Sequence, residues 1–130
     1  FLNRRRELSH NYDKFFKDIE YIDITQNSGR DESSNHLYIL KIDFNKLNIN
    51  RNDFMKKLRD YNIYSQVHYI PVPLQPYYQK KYNLNVVQDF KNSMEYYEMC
   101  LSIPLYYGLN NQMQKYVADK IINIIRKEFN

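Results

Sequence analysis

Hydrophobic residues recur at helical spacing in two long stretches of this chain. The first stripe predicts an amphipathic helix over Leu2–Glu20, because its members fall three or four residues apart. These members are Leu8, Tyr12, Phe15, Phe16 and Ile19. The second stripe predicts a last helix that begins after a cap at Asn110 or Asn111. It consists of Met113, Val117, Ile121, Ile124 and Ile125.

Continuous apolar runs predict the strands of a small sheet. The three runs are His36–Phe44, Ile63–Ile70 and Cys100–Leu105, and a short extended piece lies at Tyr21–Ile24. Two more helices are predicted between the runs: one from a capping pair, Asn50 and Asp53, to about Asp60, and one over Val87–Met99. The alternation indicates an α/β (α+β) fold, a two-layer sandwich with a three-stranded sheet and about four helices. We expect one domain over residues 1–130.

Two polar stretches are predicted to lie outside the core. Residues 25–35 contain no apolar side chain, so we expect a mobile loop there. Arg4, Arg5 and Arg6 precede the first apolar stripe, and we expect them on an exposed helical turn. The chain does not begin with Met, and we expect it to be a portion of a longer protein.

A segment rich in proline and aromatic residues, QVHYIPVPLQPYYQK from Gln66 to Lys80, is the most distinctive part of the sequence. Its prolines lack N–H groups and fix their own φ, so the segment is predicted to be extended and non-helical. A second run, LSIPLYYGL, follows at Leu101–Leu109. Ring-bearing residues are predicted to gather near one sheet edge. They are His68, Tyr69, Tyr77, Tyr78 and Tyr106.

Composition excludes several kinds of site. With only two glycines, Gly29 and Gly108, neither a G-x-G-x-x-G turn nor a P-loop can be formed. A single cysteine, Cys100, excludes an internal disulfide and a multi-cysteine zinc site, and it fits a reducing, cytoplasmic setting. The three histidines are too dispersed to indicate a metal site. No apolar run approaches the ~20 residues needed to span a bilayer.

The proline segment and the LSIPLYYGL run together resemble the C-terminal small domain of the DegT/StrS-type nucleotide-sugar aminotransferases, which use pyridoxal phosphate (PLP). The likeness covers nearly the whole chain: RRRELSHNYDKFF resembles the helix that leads into that domain, and NHLYIL resembles a strand of it. The VHYIP stretch is similar to the branch that makes 4-amino sugars for pseudaminic acid. The resemblance implies the fold of the small domain of fold-type I PLP aminotransferases.

This resemblance implies transfer of an amino group from glutamate to a 4-keto (or 3-keto) nucleotide sugar through PLP. The Schiff-base lysine belongs to a large domain upstream in the family's order, so no catalytic residue is expected in this chain. The chain alone is expected to bind no PLP and to be inactive. The implied partners are the large PLP-binding domain, the nucleotide sugar and, in the full-length protein, a second copy in a homodimer. Membranes and nucleic acids are not expected partners.

The resemblance also implies a substrate-binding set consisting of His68, Tyr69, Pro73, Tyr77 and Tyr78. Pro73 departs from the family pattern, because many members carry a histidine there and proline cannot donate a hydrogen bond. Alternatively, His68 is a structural histidine. For Tyr77 and Tyr78, the alternative is packing over the proline loop. Side-chain alternation in a strand would place Tyr69 on the opposite face from His68. Cys100 is expected to be inert and buried.

Two other function classes fit a small basic domain with 14 tyrosines and a net charge of +4. One is stacking on single-stranded RNA, although the glycine-bearing motifs of RNA-recognition and KH domains are absent. The other is a protein-interaction module, which a small domain without its large domain would mimic through its exposed apolar surface. For the same reason, we expect the sheet face opposite the helices to be unusually apolar.

Overall fold

The computed structural model describes residues 1–25, 29 and 31–129, and for residues 128 and 129 the backbone alone. In chain order the elements are α1 (Leu2–Phe16), β1 (Ile22–Ile24), β2 (Tyr38–Ile42), α2 (Arg51–Asp60), a 3₁₀ turn (Val72–Leu74), α3 (Pro76–Tyr82), α4 (Val86–Asp89), α5 (Lys91–Met99), β3 (Cys100–Ile103) and α6 (Asn111–Phe129). The predicted mixed fold with a three-stranded sheet is confirmed. The described residues form six α-helices, whereas about four were predicted.

The sheet has the order β1-β2-β3 and is antiparallel throughout. Two of its strands were predicted, but the predicted strand Ile63–Ile70 is wrong: within the described sheet it adds only an isolated bridge between Gln66 and Ser102. The third strand of the sheet is instead β1, which pairs with the edge of β2 opposite β3. The Ile63 N–H is bonded back to the Leu58 carbonyl after α2, and the prolines that follow cannot donate to a ladder.

The core lies between one face of the sheet and helices α1 and α6. Alternate residues of β2 (Tyr38, Leu40 and Ile42) are fully buried there. Both predicted helical stripes enter this core, except that Met113 is wrongly placed: its side chain is 50% exposed. Tyr12 packs its ring 4.8 Å from that of Tyr38, and its hydroxyl donates to the Pro104 carbonyl at 2.9 Å. Burial raises the pKa of Tyr12, so the hydroxyl stays a donor.

The second face of the sheet carries mixed side chains, so the prediction of an unusually apolar face is wrong. The register places the paired residues Asp23 and Lys41 on this face, where Lys41 Nζ lies 3.2 Å from the Asp23 carboxylate. Ile39 pairs with Ser102 two residues along the same strand. Alternation sends Tyr38, Leu40 and Ile42 to the core and leaves Ile39 and Lys41 on this face, together with Cys100 and Ser102 of β3.

Local signals located the starts of α2 and α6, whereas α1 ends at Phe16, four residues before the predicted Glu20. Asn50 caps α2 by accepting the Asp53 N–H at 2.9 Å, as predicted. Asn110 caps α6 through the Met113 N–H at 2.8 Å. The predicted helix Val87–Met99 is broken into α4 and α5 at Phe90, where φ is −131° and ψ is 40°.

The first turns of α1 are anchored and not freely exposed, which corrects the prediction for the three arginines. Each guanidinium is half-buried and donates to a backbone carbonyl: Arg4 to Leu109 at 2.7 Å, Arg5 to His36 at 2.8 Å and Arg6 to Ser33 at 3.3 Å. The predicted loop 25–35 lies partly outside the described residues, and its mobility stays a prediction.

Candidate functional site

The proline segment folds into short helical turns. The prediction of an extended, helix-free segment is therefore wrong beyond Pro71. Val72–Leu74 is a 3₁₀ turn and Pro76 opens α3. A proline is tolerated in the first turn of a helix because the N–H that it lacks would have no intrahelical partner there. The Gln79 side chain donates to the Leu74 carbonyl at 3.0 Å and ties the two turns together.

His68 is fixed to the edge of the sheet. Gln66 and Ser102 exchange two backbone hydrogen bonds of 3.0 and 2.8 Å, which hold the start of the proline segment beside β3. Two residues later, His68 Nδ1 lies 2.9 Å from Ser102 Oγ. The His68 ring is half-buried. A half-buried imidazole held from behind by a buried hydroxyl can present its other nitrogen to a ligand.

Strand alternation predicted that His68 and Tyr69 lie on opposite faces, and this prediction is wrong. The Tyr69 side chain is 77% exposed, and its ring contacts the His68 ring edge-on with centroids 4.7 Å apart. The alternation rule fails here because residues 68 and 69 belong to no strand. Both rings therefore lie at the same edge of the domain.

A second group of rings lies on α3. Tyr77 and Tyr78 meet edge-on at 5.2 Å, and Tyr78 stacks parallel to Tyr82 at 6.3 Å. The Lys81 ammonium donates to the Tyr77 hydroxyl at 3.1 Å. These tyrosines are exposed, which leaves ring surface and hydroxyls accessible. Pro73 is half-buried in the turn that precedes them.

The predicted site residues thus fall into two contact groups, His68 with Tyr69 and Tyr77 with Tyr78, along one continuous segment. Tyr106, predicted near the same edge, lines a groove whose lining includes none of these four residues. Whether the segment binds a substrate stays a prediction.

That groove has a volume of about 780 Å³. We call it the aromatic groove; its lining is Tyr61, Asn62, Ile63, Tyr64, Pro104, Tyr106, Leu109, Gln112, Met113, Tyr116 and Val117. The Tyr116 hydroxyl donates to the Tyr61 carbonyl at 3.3 Å, and Lys120 Nζ lies 4.4 Å from the Tyr61 ring centre. Sequence reasoning missed Tyr64 and Tyr116. The sequence did contain a signal for Tyr116: it lies three residues after Met113, so the two side chains share one face of α6.

Cys100 does not form a nucleophilic centre. Burial raises the pKa of its thiol, and the nearby Arg51 only partly opposes this effect. The Arg51 guanidinium donates to the Tyr97 carbonyl and lies 4.6 Å from the centre of the Tyr97 ring. The thiol also points at the Tyr97 carbonyl, with Sγ and O 3.4 Å apart. A protonated, buried thiol is unreactive, as expected from its place in a strand.

The described part of the chain does not fit PLP by itself. A lysine that forms a Schiff base is activated in a desolvated pocket, and none of the described lysines is buried. The lining of the aromatic groove contains no lysine or arginine that could hold a phosphate. Among the described residues there is also no group of three or more His, Cys, Asp or Glu side chains able to hold a metal ion. In the same part of the chain, each helix is too short or too polar to cross a membrane.

Comparison with known proteins gives a consistent set of matches. Residues 1–122 match the model of the DegT/DnrJ/EryC1/StrS aminotransferase family. The spore coat polysaccharide biosynthesis protein SpsC of Bacillus subtilis is 34% identical over 126 residues, which are 95% of this chain and 32% of that protein. The UDP-4-amino-4,6-dideoxy-N-acetyl-beta-L-altrosamine transaminase of Helicobacter pylori is 27% identical over 121 residues, covering 93% of this chain and 31% of the transaminase.

Among solved structures, Helicobacter pylori PseC, an aminotransferase involved in the biosynthesis of pseudoaminic acid, matches with a TM-score of 0.85 and 25% identity. The match covers 97% of this chain and 33% of PseC. The chain therefore spans about a third of the length of these relatives.

Proposed function

The chain belongs to the DegT/DnrJ/EryC1/StrS aminotransferase family, and we propose that it is the C-terminal portion of a PLP-dependent nucleotide-sugar aminotransferase. The parent would transfer an amino group from glutamate to a 4-keto (or 3-keto) nucleotide sugar. One observation carries the proposal: the family match over residues 1–122 coincides with a structural match to PseC over nearly the whole chain. The names of the relatives, a UDP-sugar transaminase and a polysaccharide biosynthesis protein, support the substrate class.

In the parent, the segment His68–Tyr78 would form the substrate-facing edge of this domain. His68 offers a ring nitrogen held by Ser102, and the tyrosines offer ring faces and hydroxyls to a sugar or a base. A segment anchored at the sheet and stiffened by prolines loses little entropy when a ligand orders it. Pro73, which cannot donate a hydrogen bond, would alter the preference among sugars.

The aromatic groove would pack against the remaining, larger portion of the parent. Its exposed members include Tyr64, Tyr106, Met113 and Tyr116, and an apolar patch of this kind normally marks an interaction surface. About two thirds of the length of the relatives lies outside the matched region, so a covering domain is available in the parent.

PLP, when bound in the parent, acts as the electron sink of amino transfer. Because the described residues supply no buried lysine, the Schiff-base lysine would belong to the large domain. This chain would instead bind and orient the sugar and help to exclude water. A homodimeric parent and a cytoplasmic location stay predictions. The alternative of single-stranded RNA binding receives no support from the comparisons.

The proposal is tested with the full-length parent, PLP, glutamate and a UDP-4-keto sugar. We expect 2-oxoglutarate and the amino sugar to form in equal amounts, and no product from the 130-residue chain alone. If the parent consumes glutamate but aminates no nucleotide-linked ketosugar, the substrate class is wrong. If the chain alone transfers the amino group, the assignment of the Schiff-base lysine to the large domain is wrong.

A further inference from the structure

Ser102 is a buried polar residue whose hydroxyl proton needs a hydrogen-bond acceptor. It is 6% exposed, and its backbone N–H and C=O are both used in the bridge to Gln66. The one recorded partner of its hydroxyl among the described residues is His68 Nδ1, at 2.9 Å. Buried hydroxyls are nearly always hydrogen-bonded, since an unmade bond leaves the desolvation penalty uncompensated.

The direction of this hydrogen bond determines the tautomer of a neutral His68. If the hydroxyl donates, Nδ1 is the acceptor and the ring proton is on Nε2. If Nδ1–H donates instead, the buried hydroxyl proton of Ser102 is left without a recorded acceptor in the described part of the chain. The first arrangement satisfies both groups, so it has the lower free energy.

The edge-on contact with Tyr69 supports the ring from another side. The two ring planes meet at 87°, with centroids 4.7 Å apart, so rotation of the imidazole would lose both this contact and the Ser102 bond. The ring is only half-buried, which leaves part of it open to the outside of the domain.

We infer that Ser102 is a positioning residue that fixes His68 as the Nε2–H tautomer, so that the segment presents an N–H donor to an oxygen acceptor of the nucleotide sugar. The inference rests on the proposed function for its ligand, and on the Ser102–His68 geometry alone for the tautomer. The acceptor class is an uncharged or anionic oxygen: a phosphate, a sugar hydroxyl or a base carbonyl. A ligand group that only donates hydrogen bonds would not fit.

The tautomer can be measured on the 130-residue chain itself. Long-range ¹H–¹⁵N correlation spectra distinguish the two ring nitrogens of a neutral histidine, and His10→Gln with His36→Gln leaves His68 as the sole histidine. At about pH 8, where a free imidazole is neutral, we expect an unprotonated Nδ1 and a protonated Nε2. A predominant Nδ1–H form would overturn the inference.

Two variants test the role of the hydroxyl. Ser102→Ala is expected to give a mixture of tautomers, and Ser102→Thr, which keeps a hydroxyl, is expected to restore the Nε2–H form. An Ala variant with the unaltered tautomer would show that Ser102 fixes nothing. Backbone amide spectra report whether each variant is folded, and if the Ala variant unfolds, the wild-type and Thr spectra still decide the tautomer.

The functional consequence is measured in the full-length parent by separating the two half-reactions. Ser102→Ala is expected to lower the rate with the nucleotide sugar about tenfold, the size of one lost hydrogen bond to a buried partner. The half-reaction with glutamate should stay within twofold, and Ser102→Thr should recover the sugar rate. Equal losses in both half-reactions would overturn the positioning role. A wild-type parent that aminates no sugar would instead refute the proposed function, whatever the tautomer.

Discussion

Two exposed aromatic surfaces of this domain differ in their polar partners. The segment His68–Tyr78 brings an imidazole, tyrosine hydroxyls and the Lys81 ammonium within reach of one another. The aromatic groove is concave and mostly apolar, and its one nearby ammonium, that of Lys120, lies over the rings of Tyr61 and Tyr116 and outside the lining of the groove. A ligand site needs a few well-placed polar groups, whereas a domain interface needs apolar area and shape. Exposed tyrosines alone therefore do not distinguish the two kinds of surface.

The largest expected difference is between the chain and its parent in PLP binding: neither surface of the chain should hold the cofactor. Incubation of the 130-residue chain with PLP should give no stoichiometric adduct that survives dialysis, because no described lysine is buried. Absorbance spectra and peptide mapping after borohydride reduction provide the measurement. Weak labelling spread over several surface lysines is expected as background. A single lysine labelled to completion would show that this domain holds a cofactor site after all.

A charge placed in the aromatic groove should destabilise the full-length parent much more than the 130-residue chain. Met113→Asp is expected to destabilise the full-length parent by about 3 kcal/mol, because the carboxylate would be buried against the large domain. In the chain alone the change should stay within about 0.5 kcal/mol, since Met113 is half-exposed and an acidic residue suits the first turn of α6. Urea unfolding of both proteins measures the difference.

The matched control for the groove is Asn123→Asp, an exposed position on the same helix outside the lining. It should leave both proteins unchanged. Equal stability of the parent with and without Met113→Asp would mean that the groove is not covered by the large domain.

Substitutions in the proline segment should act on the sugar and not on the amino donor. His68→Ala or Tyr77→Phe is expected to weaken the nucleotide-sugar half-reaction by about 1–2 kcal/mol, the size of a lost hydrogen bond to a buried partner. Single-turnover spectra of the parent follow each half-reaction separately. Tyr82→Phe, on the same helix, serves as the control and should have little effect.

Two results would reclassify the segment. A parallel fall of both half-reactions and of thermal stability would make it structural. Normal sugar kinetics in both variants would mean that other residues line the cleft.

Tyr12→Phe tests how much the hydrogen bond between the core and the lining of the groove stabilises the domain. The substitution removes the hydroxyl that donates to the Pro104 carbonyl, and Pro104 lines the groove. We expect a loss of about 1 kcal/mol in the free energy of unfolding of the chain. The sugar half-reaction of the parent should not change, because the segment His68–Tyr78 is held by hydrogen bonds to Ser102, in which Tyr12 takes no part. A loss confined to the sugar step would contradict the separation of the two surfaces.

The smallest expected effect is on stability at acid pH, and it should come from Asp43, which lies outside the segment His68–Tyr78 and outside the lining of the groove. The Lys46 backbone N–H lowers the pKa of Asp43, and the Lys46 ammonium adds to the effect. A carboxylate whose folded-state pKa is depressed contributes stability above its unfolded pKa, and this contribution is lost as the pH falls through the folded value. Asp43→Asn should therefore flatten the acid side of the stability curve, whereas His68→Ala and Met113→Asp should leave the Asp43 contribution in place. Urea midpoints between pH 2 and pH 6 test this.

Much of the framework follows from local sequence signals. The buried stripes of α1 and α6, strands β2 and β3 and the Asn50 and Asn110 caps were all recognisable, because spacing and capping are properties of neighbouring residues. The family resemblance was recognised from QVHYIPVPLQPYY and LSIPLYYGL, and the family match confirms it. The site residues were named from the same motifs, and their contact with a substrate stays a prediction.

Only the tertiary structure decided which segments pair and which surfaces meet. Ile22–Ile24 is a strand because β2 offers it a free edge, whereas the more apolar Ile63–Ile70 turns away into prolines. The same long-range packing brings Ser102 to His68, 34 residues apart, and assembles the aromatic groove from α6 and the turns after α2 and β3. Periodicity encodes which face of an element is buried, but pairing depends on the free energies of competing long-range contacts, which no local pattern contains.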